Sequence, residues 1–275
     1  MKSKKLAYIS SGVFIILIAF VAIIYLKNKQ DKATFEKKDY AQIAESGILR
    51  IVTNLDQTGY FVSGDTIAGF NHDLLKALQK YTNLKFEISV ENSLEKSFEE
   101  LKFGKYDLIA RNIQATADMK GRYLFTTPII LNKLILVQRK AEYNDSISPI
   151  RSHLQLAGKT LHIAKDAPSK LRLANLSHEI GDTVYIKEND LYDTEQLAMM
   201  VSTGEIGYTI SDFKTAEALA RKMPELDIET SIGFTHLESW AVNQWSPILL
   251  DSLNTWIDKF KQTKDYQIIY NRYYK

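Results

Sequence analysis

The chain has 275 residues, 45% apolar and 25% charged, which suits one or two compact domains and excludes a wholly disordered or fibrous chain. Its formal charge of +2 is uneven: residues 1–40 hold eight lysines against three acids, leaving 27 basic and 30 acidic side chains elsewhere, with no electrostatic footprint for nucleic acid. The lack of cysteine removes disulfides, thiolate chemistry, zinc–thiolate sites and lipidation through an N-terminal cysteine.

From Leu6 to Leu26 there is no charged residue, and Ile, Val, Phe and Leu dominate. As a helix this stretch would span roughly 31 Å, the thickness of a bilayer's hydrocarbon core. Lysines flank both ends, and Tyr8 and Tyr25 sit where amphipathic rings prefer the interface. A cleaved signal peptide is the alternative. It would have a shorter core, about 7–15 residues, and a small-residue cleavage site. Lys27 to Lys32 offers no such site. The expectation is therefore one transmembrane helix over 6–26 with a cytoplasmic tail at 1–5. The rest of the chain would lie in the periplasm or extracytoplasmic space, a single-pass location in the inner (cytoplasmic) membrane. Both flanks are basic, so the orientation rests on the shortness of the tail. Residues 27–44 read as a polar tether ending in one helical turn.

The body alternates two periodicities. Strands are expected at Ile48–Val52, Lys85–Val90, Asp107–Ala110, Leu131–Val137, Thr160–Ala164 and Gly207–Ile210. Helices are expected at Asp73–Tyr81, Ser93–Phe103, Glu195–Ser202, Phe213–Lys222 and from Pro247 onward, where Leu250, Leu253, Trp256 and Phe260 share a face before an aromatic tail. Trp240 to Val242 reads as a further strand. This alternation argues for an α/β architecture with mostly parallel sheets.

Most chemical motifs fail. The five histidines have no partner at metal-ligand spacing, and no nucleophile elbow, Walker or dinucleotide glycine pattern occurs. Neither a metal nor a cofactor is implied. Glu238-Ser239 has the form of a catalytic Glu-Ser pair of wall lyases. The Gly-Leu-Met-Gln segment that should follow it is missing, and a plain strand edge accounts for it.

Four patterns occur in order: Gly47–Thr53, Ile67–Leu74, Gly104–Ala110 leading to Phe125–Pro128, and Gly204–Asp212. Together they resemble the extracytoplasmic solute-binding proteins of family 3. Within that group the chain resembles the non-catalytic N-terminal domain of membrane-bound lytic transglycosylase F; no catalytic domain is expected before the last residue. The resemblance implies a two-lobed type 2 periplasmic-binding-protein fold, with lobe 1 at 45–137 and 234–275 and lobe 2 at 138–233. Such lobes close on a small ligand by hinge motion.

Amino-acid-binding members of that family fork an arginine onto the ligand carboxylate, give an aspartate to the ammonium and pack aromatics on the side chain. By this resemblance Asp212 stands at the aspartate, and Tyr60 and Phe70 are the aromatics, although either suits the core equally. Met119 replaces the arginine, and a thioether donates no hydrogen bond. Arg111, just after Ala110, and Arg122 are the two replacements. Ser169, beside Pro168, would open a lobe 2 helix whose N-terminus either receives an anionic group or is simply capped.

The expected function is a membrane-anchored solute-binding domain, not an enzyme. Its partners would be a small-molecule or peptide ligand, the membrane through residues 6–26, and a transporter or a cell-wall enzyme. The alternatives are a peptidoglycan-turnover protein acting through Glu238 and a degenerate scaffold that binds nothing.

Overall fold

The computed structural model describes residues 37–165, 167 and 169–274. Its first elements are α1 (Tyr40–Ser46), β1 (Ile48–Thr53), β2 (Phe61–Ser63), β3 (Thr66–Ala68) and α2 (Phe70–Leu78). There follow β4 (Lys85–Val90), α3 (Leu94–Lys102), β5 (Leu108–Gln114), α4 (Ala117–Lys120), β6 (Tyr123–Phe125) and β7 (Ile130–Asn132). The next group is β8 (Leu134–Arg139), β9 (Thr160–Ala164), α5 (Ser169–Ile180), β10 (Tyr185–Asn189), α6 (Thr194–Thr203), β11 (Thr209–Asp212), α7 (Phe213–Lys222) and β12 (Leu226–Asp227). The chain finishes with β13 (His236–Asn243), α8 (Pro247–Lys261) and α9 (Lys264–Tyr274).

The strands form two main sheets. The first runs β4-β1-β5-β13-β6 with β7 also on β13, and the second runs β10-β9-β11-β8-β12. Strands β1, β4 and β5 are parallel, as are β9, β10 and β11, because helices cross between them. The return strands are antiparallel: β13 on β5, β6 and β7, and β8 and β12 at the edge of the second sheet. Each lobe thus has a parallel core with antiparallel additions, a more mixed arrangement than strand and helix alternation suggests.

The chain crosses between lobes twice, at Lys133 and after Gly233. Strand β8 belongs to the second sheet, so lobe 2 begins at about residue 134. The expected single strand at 131–137 is two, each in its own lobe.

The lobe 1 core gathers Leu49, Ile51, Leu108, Trp240, Leu253 and Ile257. Trp240 has 0% exposure and donates its indole N–H to Asn71 Oδ1 at 3.1 Å, satisfying the one polar atom it buries. The aromatic tail is a helix: α9 lays Tyr266, Tyr270 and Tyr274 against Phe70, with Tyr274 and Phe70 centroids 4.7 Å apart. It is pinned at the start of α2, where Tyr273 Oη accepts from Gly69 N–H at 3.1 Å and donates to Asp73 Oδ2 at 2.8 Å. Lobe 2 packs Leu136, Leu161, Leu173 and Leu176 on one side of its sheet and Val137, Leu197, Val201 and Leu219 in a second cluster.

The end of the expected tether is also structured. Helix α1 has Asp39 at its N-cap in a reciprocal pairing with Gln42, and Ile43 buries into the lobe 1 core. The segment 6–26, to which a membrane helix was assigned, lies outside the described residues. The expected single-pass inner-membrane localisation is not upheld: among the described residues no helix is long and apolar enough to cross a membrane. The longest, α8, has 15 residues, against the ~20 a span requires.

Candidate functional site

In open α/β sheets, ligands bind outside the carboxyl ends of the parallel strands, where backbone amides and loop side chains converge. The polar residues of this chain cluster at that edge of both sheets. The loop after β1 supplies Asp56 and Gln57, and the second half of β5 supplies Arg111 and Asn112. Asn132 ends β7, Asp212 ends β11, and the turn after β10 leads to Glu195. Strand β13 is antiparallel, so its beginning, His236 and Glu238, lies at the same edge, with Glu238 opposite Gln114 of β5.

These groups meet where the lobes touch. Glu195 Oε1 of α6 accepts the Gln57 backbone N–H at 2.7 Å, and Lys222 of α7 donates to the Gln57 side chain. Asn132 Nδ2 reaches Asp212 Oδ1 at 2.9 Å and both oxygens of Glu238 at 3.2 and 3.3 Å. Lys214 Nζ donates to the Tyr274 carbonyl at 2.8 Å, tying α7 of lobe 2 to α9 of lobe 1. The lobes are therefore closed on one another.

Asp56 owes its position to a tight turn. Its Oδ1 accepts the N–H groups of Thr58 and Gly59, and Asn54 Nδ2 donates to its other oxygen at 3.2 Å. Burial nevertheless pushes its carboxyl above the ordinary value; the turn's N–H groups oppose this and nearby Asp212 adds to it. Burial also raises Glu195 and Glu238, the first opposed by Gln57, the second by His236. For His236, burial favours the neutral ring, but its hydrogen bond to Glu238 at 3.2 Å prevails and lifts the pKa.

Arg111 is the cationic counterpart. Burial lowers its pKa to about 10, while Asp56 and Glu91 work in the opposite direction, so it stays charged at neutral pH. Its hydrogen bonding is sparse: NH1 donates to the Asn92 carbonyl at 3.3 Å, and among the described residues no carboxylate is ion-paired with it. A guanidinium carries five N–H donors in a planar fork, so most of Arg111's donors have no partner among the described residues.

The other sequence-selected residues are dispersed. Asp212 caps α7, accepting Thr215 N–H at 2.9 Å through the oxygen that also takes Asn132. Tyr60 is 6% exposed and sits edge-on to His72 at 5.6 Å, behind the Asp56 turn. Phe70 corrects the aromatic expectation: it has 0% exposure and is enclosed by the α9 tyrosines, which leaves no face for a ligand. Arg122 is exposed and paired with Asp118 one turn back on α4, away from the lobe contact. Ser169 is buried in the first turn of α5, at the carboxyl end of β9. Met119 is partly buried and packs against the cluster of Phe98, Leu101 and Tyr123.

Asp56, Asn112, Asn132, Glu195 and Tyr274 have no place in the sequence reading, although Asp56 followed by Thr58-Gly59 carries an Asx-turn signal. A surface cavity of about 470 Å³ lined by Tyr40, Ala44, Gly47, Lys80 and Tyr81 lies beside the amino ends of β1 and β4, at the edge opposite these groups.

Residues 49–275 match the family model of bacterial extracellular solute-binding proteins, family 3. The chain belongs to that family. Among curated proteins it is similar to membrane-bound lytic murein transglycosylase F of Desulfosudis oleivorans, 25% identical over 85% of this chain and 50% of that one. The enzyme of that name from Pseudoalteromonas translucida is 27% identical over 84% and 47%. The chain thus spans about half the length of these relatives. Among solved structures it resembles an ancestral arginine-binding protein bound to arginine, with a TM-score of 0.72 at 21% identity over 83% of this chain and 99% of that one. A histidine kinase sensor domain similar to periplasmic binding proteins gives 0.70 at 16% over 82% and 95%. These likenesses establish the two-lobed periplasmic-binding fold for this member of family 3.

Proposed function

We propose that this chain is a non-catalytic solute-binding domain whose lobes close on a small polar ligand, an amino-acid derivative, a short peptide or a cell-wall fragment. The observation that carries the reading is Arg111: a charged guanidinium on β5, facing Asp56 and Glu91, with most of its donors unused among the described residues. Arg111 would take an anionic group in place of the clamp lost at Met119, while Asp212, with Glu238 beside it, would take a cationic one. Tyr60 would contribute to the wall behind the Asp56 turn. Wall fragments enter the ligand set because the curated relatives are named for murein chemistry. By the same route the partner would be a transporter or a wall enzyme.

Calorimetric titration of amino acids, short peptides and muropeptides into the chain tests the proposal. Saturable binding of one ligand class, weakened at least tenfold in Arg111→Ala and unchanged in Arg122→Ala, supports it. Binding that survives Arg111→Ala intact would remove Arg111 from the site. Turnover of a muropeptide, lost in Glu238→Gln, would instead favour the peptidoglycan-turnover reading.

A further inference from the structure

Carboxylates from opposite lobes face one another across the closed contact. Asp56 of lobe 1 is within electrostatic reach of Asp212 and Glu195 of lobe 2, and Asp212 in turn faces Glu238 of lobe 1. Among the described residues, the hydrogen-bonding group shared by Asp212 and Glu238 is the neutral amide of Asn132, which sits at the first crossover between lobes. Hinge closure brings Asp56, Glu195 and Glu238 close to other carboxylates and strips water from them, and both effects disfavour the charged forms of these three. We propose that closure is proton-linked: with no ligand present, Asp56, Glu195, Asp212 and Glu238 are accommodated together only when part of their charge is neutralised, so acid closes the cleft and alkali opens it. The proposal rests on the two-lobed closure described above and on no particular ligand.

The surrounding charges leave this balance in place. From β5, Arg111 faces Asp56 and Glu91. From β13, His236 faces Glu238 and Asp212 and offsets them only when protonated. Asp193, which caps α6, adds a further like charge beside Glu195. From α7, Lys214 is engaged by the Tyr274 carbonyl and lies 3.6 Å from Glu217, while Lys222 is engaged by Gln57. From α9, the Tyr274 phenol is kept protonated, chiefly by burial. Among the described residues, Arg111 is a permanent cation facing Asp56, and no permanent cation is placed against Glu195 or Glu238.

The direction follows from linkage. Asp56, Glu195, Glu238 and His236 all hold their protons more tightly in the closed form than exposed groups would. Closing therefore takes up protons, and the closed population falls as pH rises through the raised values. A cationic group on a ligand would act in the same sense as a proton.

The chain has no cysteine, so one can be introduced on each lobe, at Ser63 and Asn175, and labelled as a fluorescence donor–acceptor pair. Single-molecule transfer efficiency of the full chain is then recorded without ligand from about pH 5 to about pH 9, the range over which raised carboxylates and histidine titrate. The expected result is a closed, high-transfer population that falls as pH rises. Glu195→Gln combined with Glu238→Gln should keep that population at the alkaline end and flatten the profile. His236→Gln, read in parallel with a melting curve that confirms folding, should move the profile to lower pH. A wild-type distribution that is invariant with pH would overturn the proposal, as would carboxamide variants that titrate like the wild type. No ligand is added, so failed ligand binding and a failed proton response are separately visible.

Discussion

Position 69 shows how much of this molecule rests on a single residue. Gly69 has φ +130°, and a Cβ there would lie 2.3 Å from the Gly59 carbonyl oxygen and 2.7 Å from the Tyr60 nitrogen. The start of α2 and the Asp56 turn are therefore in backbone contact. Gly69→Ala is expected to destabilise the protein by about 2–4 kcal/mol, measured as a lowered urea midpoint, because strain and overlap coincide. Trp240→Ala should cost about 3–5 kcal/mol by the same measurement, through an unfilled cavity and an unpaired Asn71 oxygen. At this scale the sequence marks Asp212 and Arg111 by their place after recognisable strands; Asp212 meets Asn132 at the first crossover, while Arg111 has only lobe 1 groups, Asn92, Asp56 and Glu91, around it. Phe70 and Arg122 carry the same local signals, yet one is sealed under α9 and the other, just past α4, is paired with Asp118 of that helix. Asp56, Glu195 and Tyr274 escaped because tertiary contact over more than a hundred residues brings them together, and no local periodicity encodes that.

Among elements, Asp39 holds two helices at once. Its carboxylate caps α1 and also accepts the N–H groups of Ile248 at 3.1 Å and Leu249 at 2.8 Å, the exposed amides at the start of α8. Asp39→Ala should therefore cost more than a single cap, about 1–3 kcal/mol in chemical denaturation, with Asp39→Asn recovering part of it. In lobe 2, Asp227 is almost buried and takes Arg151 NH1 at 2.6 Å and NH2 at 2.5 Å. Burial alone would raise its pKa, but the Arg151 contacts prevail and lower it. A depressed carboxylate stabilises the fold above its unfolded value of about 3.9 and ceases to do so as pH falls through the folded value. Stability should thus drop on acidification below about pH 4, and Asp227→Asn should flatten that limb of a denaturation series. Helices whose caps adjoin a periodic apolar face, such as α7 over Phe213–Lys222, were legible to the residue. Strand β10 was not, because it lies at a sheet edge with no fully buried position and so shows no alternation.

For the whole molecule, order of elements carried more information than any motif. The return of β13 to the first sheet and the switch of β8 into the second produce a two-crossover hinge, and the polar residues converge there because both sheets present their carboxyl ends to it. The closure contacts were not legible, since Gln57, Glu195 and Lys222 meet only once both lobes have folded. The central claim is that this closed contact is a ligand-binding cleft organised by Arg111 and Asp212. Its most direct test is the melting midpoint of the protein and of its Arg111→Ala and Asp212→Ala variants against amino acids, short peptides and muropeptides. A ligand bound only by the folded chain adds about 2.7 kcal/mol at a hundredfold excess over its Kd. The account predicts a raised midpoint with one ligand class, lost in both variants. Unchanged midpoints across the whole panel, or a shift that both variants retain, would contradict it.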